Sequence, residues 1–142
     1  MNKVNEVTLY KLNSNKINSI RVDSGQANVV IGGDLVVTAA EKTLSLSNRF
    51  KTALICNSNE LITGDFTRNP QLQLKSNNMK LSLISNFKKK STWFINSTEI
   101  AKSNLDNTIY SNLILLGYAF QAGLIPLKLQ SIFSAIKINS KK

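Results

Sequence analysis

Histidine is absent from this 142-residue chain. Histidine-based triads, imidazole metal ligands and imidazole proton shuttles are therefore excluded within it. Cysteine occurs once, as Cys56. That excludes an internal disulfide and a self-contained iron–sulfur cluster, which takes about four thiolates. A reducing, cytoplasmic setting is the simplest fit. No apolar run approaches the ~20 residues of a membrane-spanning helix, and Met1–Glu6 carries a lysine but no apolar core of a secretory signal. Carboxylates are also few. Glu6, Asp23, Asp34, Glu41, Glu60, Asp65, Glu99 and Asp106 are scattered, with no metal-binding spacing. From residue types and spacing we expect no catalytic, cofactor-binding or metal-binding residue in the chain.

The formal net charge is +10, which on its face suggests an anionic partner. Arginine is scarce, however. Arg21, Arg49 and Arg68 are the only ones among 18 basic residues, and asparagine is heavily used. An AT-rich coding sequence produces this Lys, Asn and Ile bias without selection for function. Nucleic-acid readers lean on arginine for bidentate contacts. The one tight basic cluster is Lys88-Lys89-Lys90, with Phe87, Trp93 and Phe94 nearby. Lysines beside aromatics can grip a single strand. The plainer reading is a solvated turn whose flanking aromatics enter the core.

Along the chain, residues 1–16 are polar, with Val7–Tyr10 as a candidate strand. Ile17–Val22 alternates like a half-buried strand. Gln26–Ile31 reads as a short helix stopped by Gly32-Gly33, and Leu35-Val36-Val37 as a central strand covered on both faces. On this reading the glycine pair precedes a strand, the wrong order for a phosphate-binding loop. Ala40–Leu46 is helix-like, and Thr52–Asn57 repeats the buried-strand pattern, ending near Cys56, which is expected to pack rather than react. Glu60 and Asp65 flank one loop, with turn chemistry at Gly64-Asp65 and Asn69-Pro70.

Ser76–Phe87 can form a helix with Met79, Leu83 and Phe87 at fourfold spacing. Thr92–Asn96 reads as a strand, and Asn96 with Glu99 as a capping box. Ile109–Ala122 is almost wholly apolar and stops at Gly123, with Pro126 expected at the first turn of the next helix. That helix places Leu129, Ile132, Phe133 and Ile136 on one stripe. The expected fold is α/β: one domain over residues 1–142, weakly ordered over 1–16. It should be a three-layer α/β/α arrangement on a mostly parallel sheet, ending in a helical hairpin.

Three stretches carry a resemblance. Gly32-Gly33-Asp34-Leu35-Val36-Val37-Thr38-Ala39-Ala40 resembles the "G-x-D-L-V-V-A-A" segment in the gamma domain of 2-oxoacid:ferredoxin oxidoreductases, most of all the indolepyruvate branch. Thr63–Pro70 is similar to that branch's loop after the next strand. Ser111–Leu127 resembles the most specific pattern, "N-x-x-x-L-G-Y-A-x-Q-x-G-L-V-P-L". The order is kept, from about Ile17 to Asn139.

The family's glycine-rich strand–turn–helix start has no counterpart here, and its members continue beyond the equivalent of Asn139. The resemblance therefore implies a piece of a gamma domain. Such enzymes oxidatively decarboxylate aryl-2-oxoacids, form acyl-CoA and pass electrons to ferredoxin. Thiamine diphosphate and iron–sulfur clusters do that chemistry on other domains or subunits. The implied role is accessory: packing against those domains, with CoA as a substrate of the whole complex and ferredoxin an indirect partner. No membrane partner is implied. Gly64, Asp65, Phe66, Tyr118 and Gln121 are the candidate interdomain contacts. The runner-up is a basic nucleic-acid-binding module centred on Lys88–Lys90, and a third reading is a remnant that folds but has no function.

Overall fold

The computed structural model describes residues 21–59 and 70–139. Three parallel strands form its sheet in the order β1 (Val29–Gly32), β2 (Ala53–Asn57) and β3 (Thr92–Ile95). Val29 pairs with Ala53, and Gly32 with Cys56. On the other side Leu54 pairs with Thr92, and Asn57 with Ile95. The helices are α1 (Leu35–Thr38), α2 (Glu41–Leu44), α3 (Pro70–Asn86), α4 (Ser97–Leu105), α5 (Ser111–Gln121) and α6 (Leu129–Asn139).

The pleat sorts β2 between two cores. Leu54 and Cys56 join Val30, Ala27, Leu35, Leu83 and Phe87 on one face, where Met79 and Phe94 pack against them. Ile55 points the other way, to Leu115 and Ala119 of α5, with Ile31, Trp93 and Ile95 alongside. All five β2 residues are buried, as a strand sandwiched between helical layers must be. The fold is the expected α/β class, with helices on both faces of a parallel sheet. The fourfold run Met79, Leu83, Phe87 does bury one face of α3.

Two adjacent expectations are corrected. The segment expected as a helix, Gln26–Ile31, contains β1, and the segment expected as a strand, Leu35-Val36-Val37, is α1. The β-branched Val29-Val30-Ile31 suits a pleated surface better than a helix. Asp34 then starts α1: its carboxylate accepts the Val37 amide at 2.8 Å. Val36 is 61% exposed, which a central strand residue would not be.

The glycine pair therefore follows a strand and precedes a helix, the reverse of the expected order. Gly32 has a packing reason. A Cβ there would collide with Thr38 Oγ1 and lie 2.8 Å from its Cγ2. Thr38 is fully buried, and its hydroxyl donates to the Asp34 carbonyl.

Asn96 caps α4 by accepting the Glu99 amide at 3.1 Å, as the spacing predicts. α5 ends in a Schellman motif. Gly123 adopts φ 70°, its N–H donates to Phe120 O, and the Leu124 N–H donates to Ala119 O. Pro126 does not open α6, which begins at Leu129. Leu124 and Ile125 are needed against the sheet, and this holds the intervening chain out of a helix.

The apolar stripe of α6 is only partly covered. Ile132 and Ile136 are half-buried, while Leu129 and Phe133 are exposed. α3 starts at Pro70, six residues before the expected Ser76, and proline is well suited to a first helical position. The strand expected over 17–22 lies mostly outside the described residues, and Arg21 and Val22 belong to no strand. Val7–Tyr10 lies outside them.

Replacing Gly32 by alanine is expected to lower unfolding free energy by about 1–3 kcal/mol, because Thr38 cannot move without leaving its buried site. Urea unfolding checks this. Thr38→Ala in the same chain should recover part of the loss.

Candidate functional site

In a parallel sheet all strands end on the same edge, where α/β proteins usually bind ligands. Here β1 delivers Gly33 and Asp34, β2 delivers Asn57, and β3 leads into Asn96, Ser97 and Thr98. Asn57 is the hub of this edge. Its Nδ2 donates to Gly33 O at 3.2 Å and to Thr98 Oγ1 at 2.8 Å. Its Oδ1 accepts the Ser97 amide at 3.2 Å and the Asn59 amide at 3.1 Å. One carboxamide thus ties together the chain leaving all three strands, and its polar capacity is used internally. Ser97 Oγ beside it is buried without a hydrogen-bond partner among the described residues.

The strand–glycine–helix order at β1 and α1 raises the question of an anion cradle, and the geometry answers against one. α1 is four residues long, and the Asp34 carboxylate already occupies its N-terminal end. The space beside Gly32 is filled by Thr38. An incoming phosphate would meet a carboxylate where it needs free amides.

Cys56 lies under this edge, fully buried, with its Sγ 3.4 Å from Asn57 O. Burial pushes the thiol up from its ordinary 9.0 to about 11, with the Asp34 charge adding to the rise. A hydrogen bond with Thr38 and the Lys80 charge oppose it. A thiol held neutral and enclosed is not a nucleophile near pH 7. Among the described residues no three His, Cys, Asp or Glu side chains come together to hold a metal ion.

The second candidate region is the outer surface of α5. Only Leu115 and Ala119 of this helix are buried. Yet Leu113, Ile114, Leu116, Tyr118 and Phe120 make it apolar all round, the composition of a helix enclosed by protein. Ile109, Leu113, Gly117 and Gln121 follow at fourfold spacing, and all four are exposed. Tyr118 is 39% exposed and meets Trp93 edge-on, with ring centroids 6.0 Å apart. Gly117 has open space where its Cβ would be, with no described atom within 4 Å. A mid-helix glycine costs about 1 kcal/mol relative to alanine, and nothing in the described fold requires it.

Of the expected contact residues, Tyr118 and Gln121 lie on exposed parts of α5. Gly64, Asp65 and Phe66 lie outside the described residues, as does Glu60. Lys88–Lys90 are exposed in a tight turn before β3. Phe87 is buried in the core, Phe94 packs against that core, and Trp93 faces Tyr118. The aromatics beside the lysines are thus committed to internal packing. No helix among the described residues is long and apolar enough to cross a membrane.

Sequence reasoning missed Asn57 and Gly117. An asparagine directly after a buried apolar run was a signal for the first. A glycine inside an apolar helix was a signal for the second. Comparisons with protein-family models, curated proteins and solved structures found no match.

Asn57→Ala would strip partners from the Ser97 amide and the Gly33 carbonyl. A loss of about 2–4 kcal/mol in chemical denaturation is expected.

The Cys56 thiol gives a pH signature. Above pH 9.0 the unfolded chain releases this proton while the folded chain keeps it until about 11. Stability therefore falls as pH rises through that window, by up to about 3 kcal/mol. Cys56→Ala should lack this part of the alkaline fall, measured as the difference between the two stability–pH curves.

Proposed function

We propose that the chain is an accessory, non-catalytic gamma-type domain of an indolepyruvate-type 2-oxoacid:ferredoxin oxidoreductase, a cytoplasmic enzyme. Its work is to dock against the thiamine- and cluster-bearing parts of that enzyme. The observation that carries this reading is α5, apolar on every side but covered by its own chain only along Leu115 and Ala119. A helix of that composition is at home inside a larger assembly. The stretch with the most specific resemblance, Ser111–Leu127, is this same helix with its Schellman end.

The residues of this chain do not fit the cofactors of the reaction. An iron–sulfur cluster needs about four thiolates, and the chain has one cysteine, buried beneath the sheet edge. The sheet edge offers amides and hydroxyls already bonded to one another through Asn57. On this reading the aryl-2-oxoacid is decarboxylated, and its acyl group passed to CoA, on partner chains. Electrons leave for ferredoxin through clusters held there. What this chain supplies is shape: an apolar helix face that orders and shields the surface it covers.

Co-expression with the catalytic chains of an indolepyruvate-type enzyme lacking its gamma domain tests this. The chain should co-purify and raise indolepyruvate- and CoA-dependent reduction of ferredoxin well above the level of the catalytic chains alone. Absence of both effects would overturn the assignment.

A further inference from the structure

We infer that Gly117 marks where an apolar helix of a partner protein, flanked by carboxylates, crosses α5. This rests on the docking role proposed above and names the chemistry of the surface that docks. Three observations carry it. First, Ile109, Leu113, Gly117 and Gln121 form an exposed line along the helix, and Tyr118 beside it keeps 39% of its surface in solvent. Second, glycine in mid-helix weakens the helix, and Gly117 returns nothing within the described fold. Its φ is not positive, and no described atom lies within 4 Å of a Cβ placed there. A notch in an apolar ridge lets a second helix axis approach closely, since interaxial distance follows the size of the side chains at the crossing.

Third, the charge around this surface has one sign. Asp106 is the last side-chain carboxylate, and the charged residues after it are Lys128, Lys137, Lys141 and Lys142. A second copy of a chain at +10 would bring lysines against lysines, which disfavours self-pairing. Carboxylates flanking an apolar helix complement this surface. An anionic membrane is the competing occupant for an apolar face with lysines. A bilayer has no use for a notch, because lipid chains conform to any helix surface.

The experiment uses the full chain and two fluorescent helical peptides with the same Leu/Ala face, one flanked by glutamates and the other by lysines. The glutamate peptide should bind and the lysine peptide should not. Gly117→Leu should weaken binding by about tenfold or more, as filling a central interface position does, and Gly117→Ala by a smaller factor. Leu81→Glu, on exposed α3 surface, should leave it unchanged. Gly117→Leu should melt at or above the parent temperature, because its side chain meets open space.

Several results would overturn the inference: equal binding of both peptides, binding of neither, or indifference to Gly117→Leu. A lower melting temperature for Gly117→Leu would give the glycine a folding role and would also sink it. Sedimentation of the chain alone, and with phosphatidylglycerol vesicles, completes the test. Self-association or vesicle binding that Gly117→Leu abolishes would assign the face to a second copy or to a membrane. Peptide binding through Gly117 without co-purification of the catalytic chains would leave this inference standing and remove the enzyme assignment. Co-purification that is indifferent to Gly117→Leu would do the opposite.

Discussion

Two-sided burial of β2 is the constraint on which the rest of the structure depends. A strand with Leu54 and Cys56 on one face and Ile55 on the other can be stable only with helices above and below it. α1 and α3 meet the first need, and α5 meets the second. The end of this strand is equally constrained. Asn57 leaves the sheet with four internal hydrogen bonds, and through them the turns after β1, β2 and β3 become one polar unit. Close packing around Gly32 and Thr38 finishes the same corner. An edge so internally satisfied has little polar capacity left for a ligand. The parts of the molecule with unspent potential lie elsewhere, on the apolar outer faces of α5 and α6.

This distribution of satisfied and unsatisfied surface is what favours a docking role over a reaction centre. The buried polar groups of the sheet edge bond one another, with Ser97 Oγ the exception among the described residues. The thiol is enclosed and kept protonated. Against this, Ile109, Leu113, Phe133 and Ile138 expose large apolar surface within the last part of the chain. Scattered exposed apolar residues are ordinary on any protein. Their concentration on helices whose other residues are also apolar is what asks for a partner. The lysine-rich charge adds a sign to that partner's surface but carries less weight, since composition bias alone can produce it.

Long periodic signals were legible before any coordinates. The buried run Ala53–Asn57, the fourfold Met79–Leu83–Phe87 pattern, the Asn96 cap and the glycine stop at Gly123 all describe what their residues do in the fold. Short apolar runs were not legible. Val29-Val30-Ile31 and Leu35-Val36-Val37 are nearly the same size and hydrophobicity, and each contains two β-branched residues or more. Period cannot separate strand from helix over three residues. What separates them is Asp34, whose carboxylate closes onto Val37 N and makes the second run a helix. With that one assignment inverted, the order around the glycine pair inverts too.

What the sequence determined by itself was the class and the exclusions. Two-sided apolar strands alternating with amphipathic helices yield an α/β sheet. A chain with no histidine and one cysteine cannot assemble imidazole or thiolate-cluster chemistry, because residue types that are absent cannot be supplied by folding. Tertiary structure alone decided which residues meet. Asn57 became a hub only when three strand ends were brought to one edge. Gly32 became indispensable only when Thr38 was packed beside it. Gly117 stood out only because the same folding left its surroundings empty. Each of these depends on distances between residues far apart in the chain, and such distances are set by packing, not by local pattern.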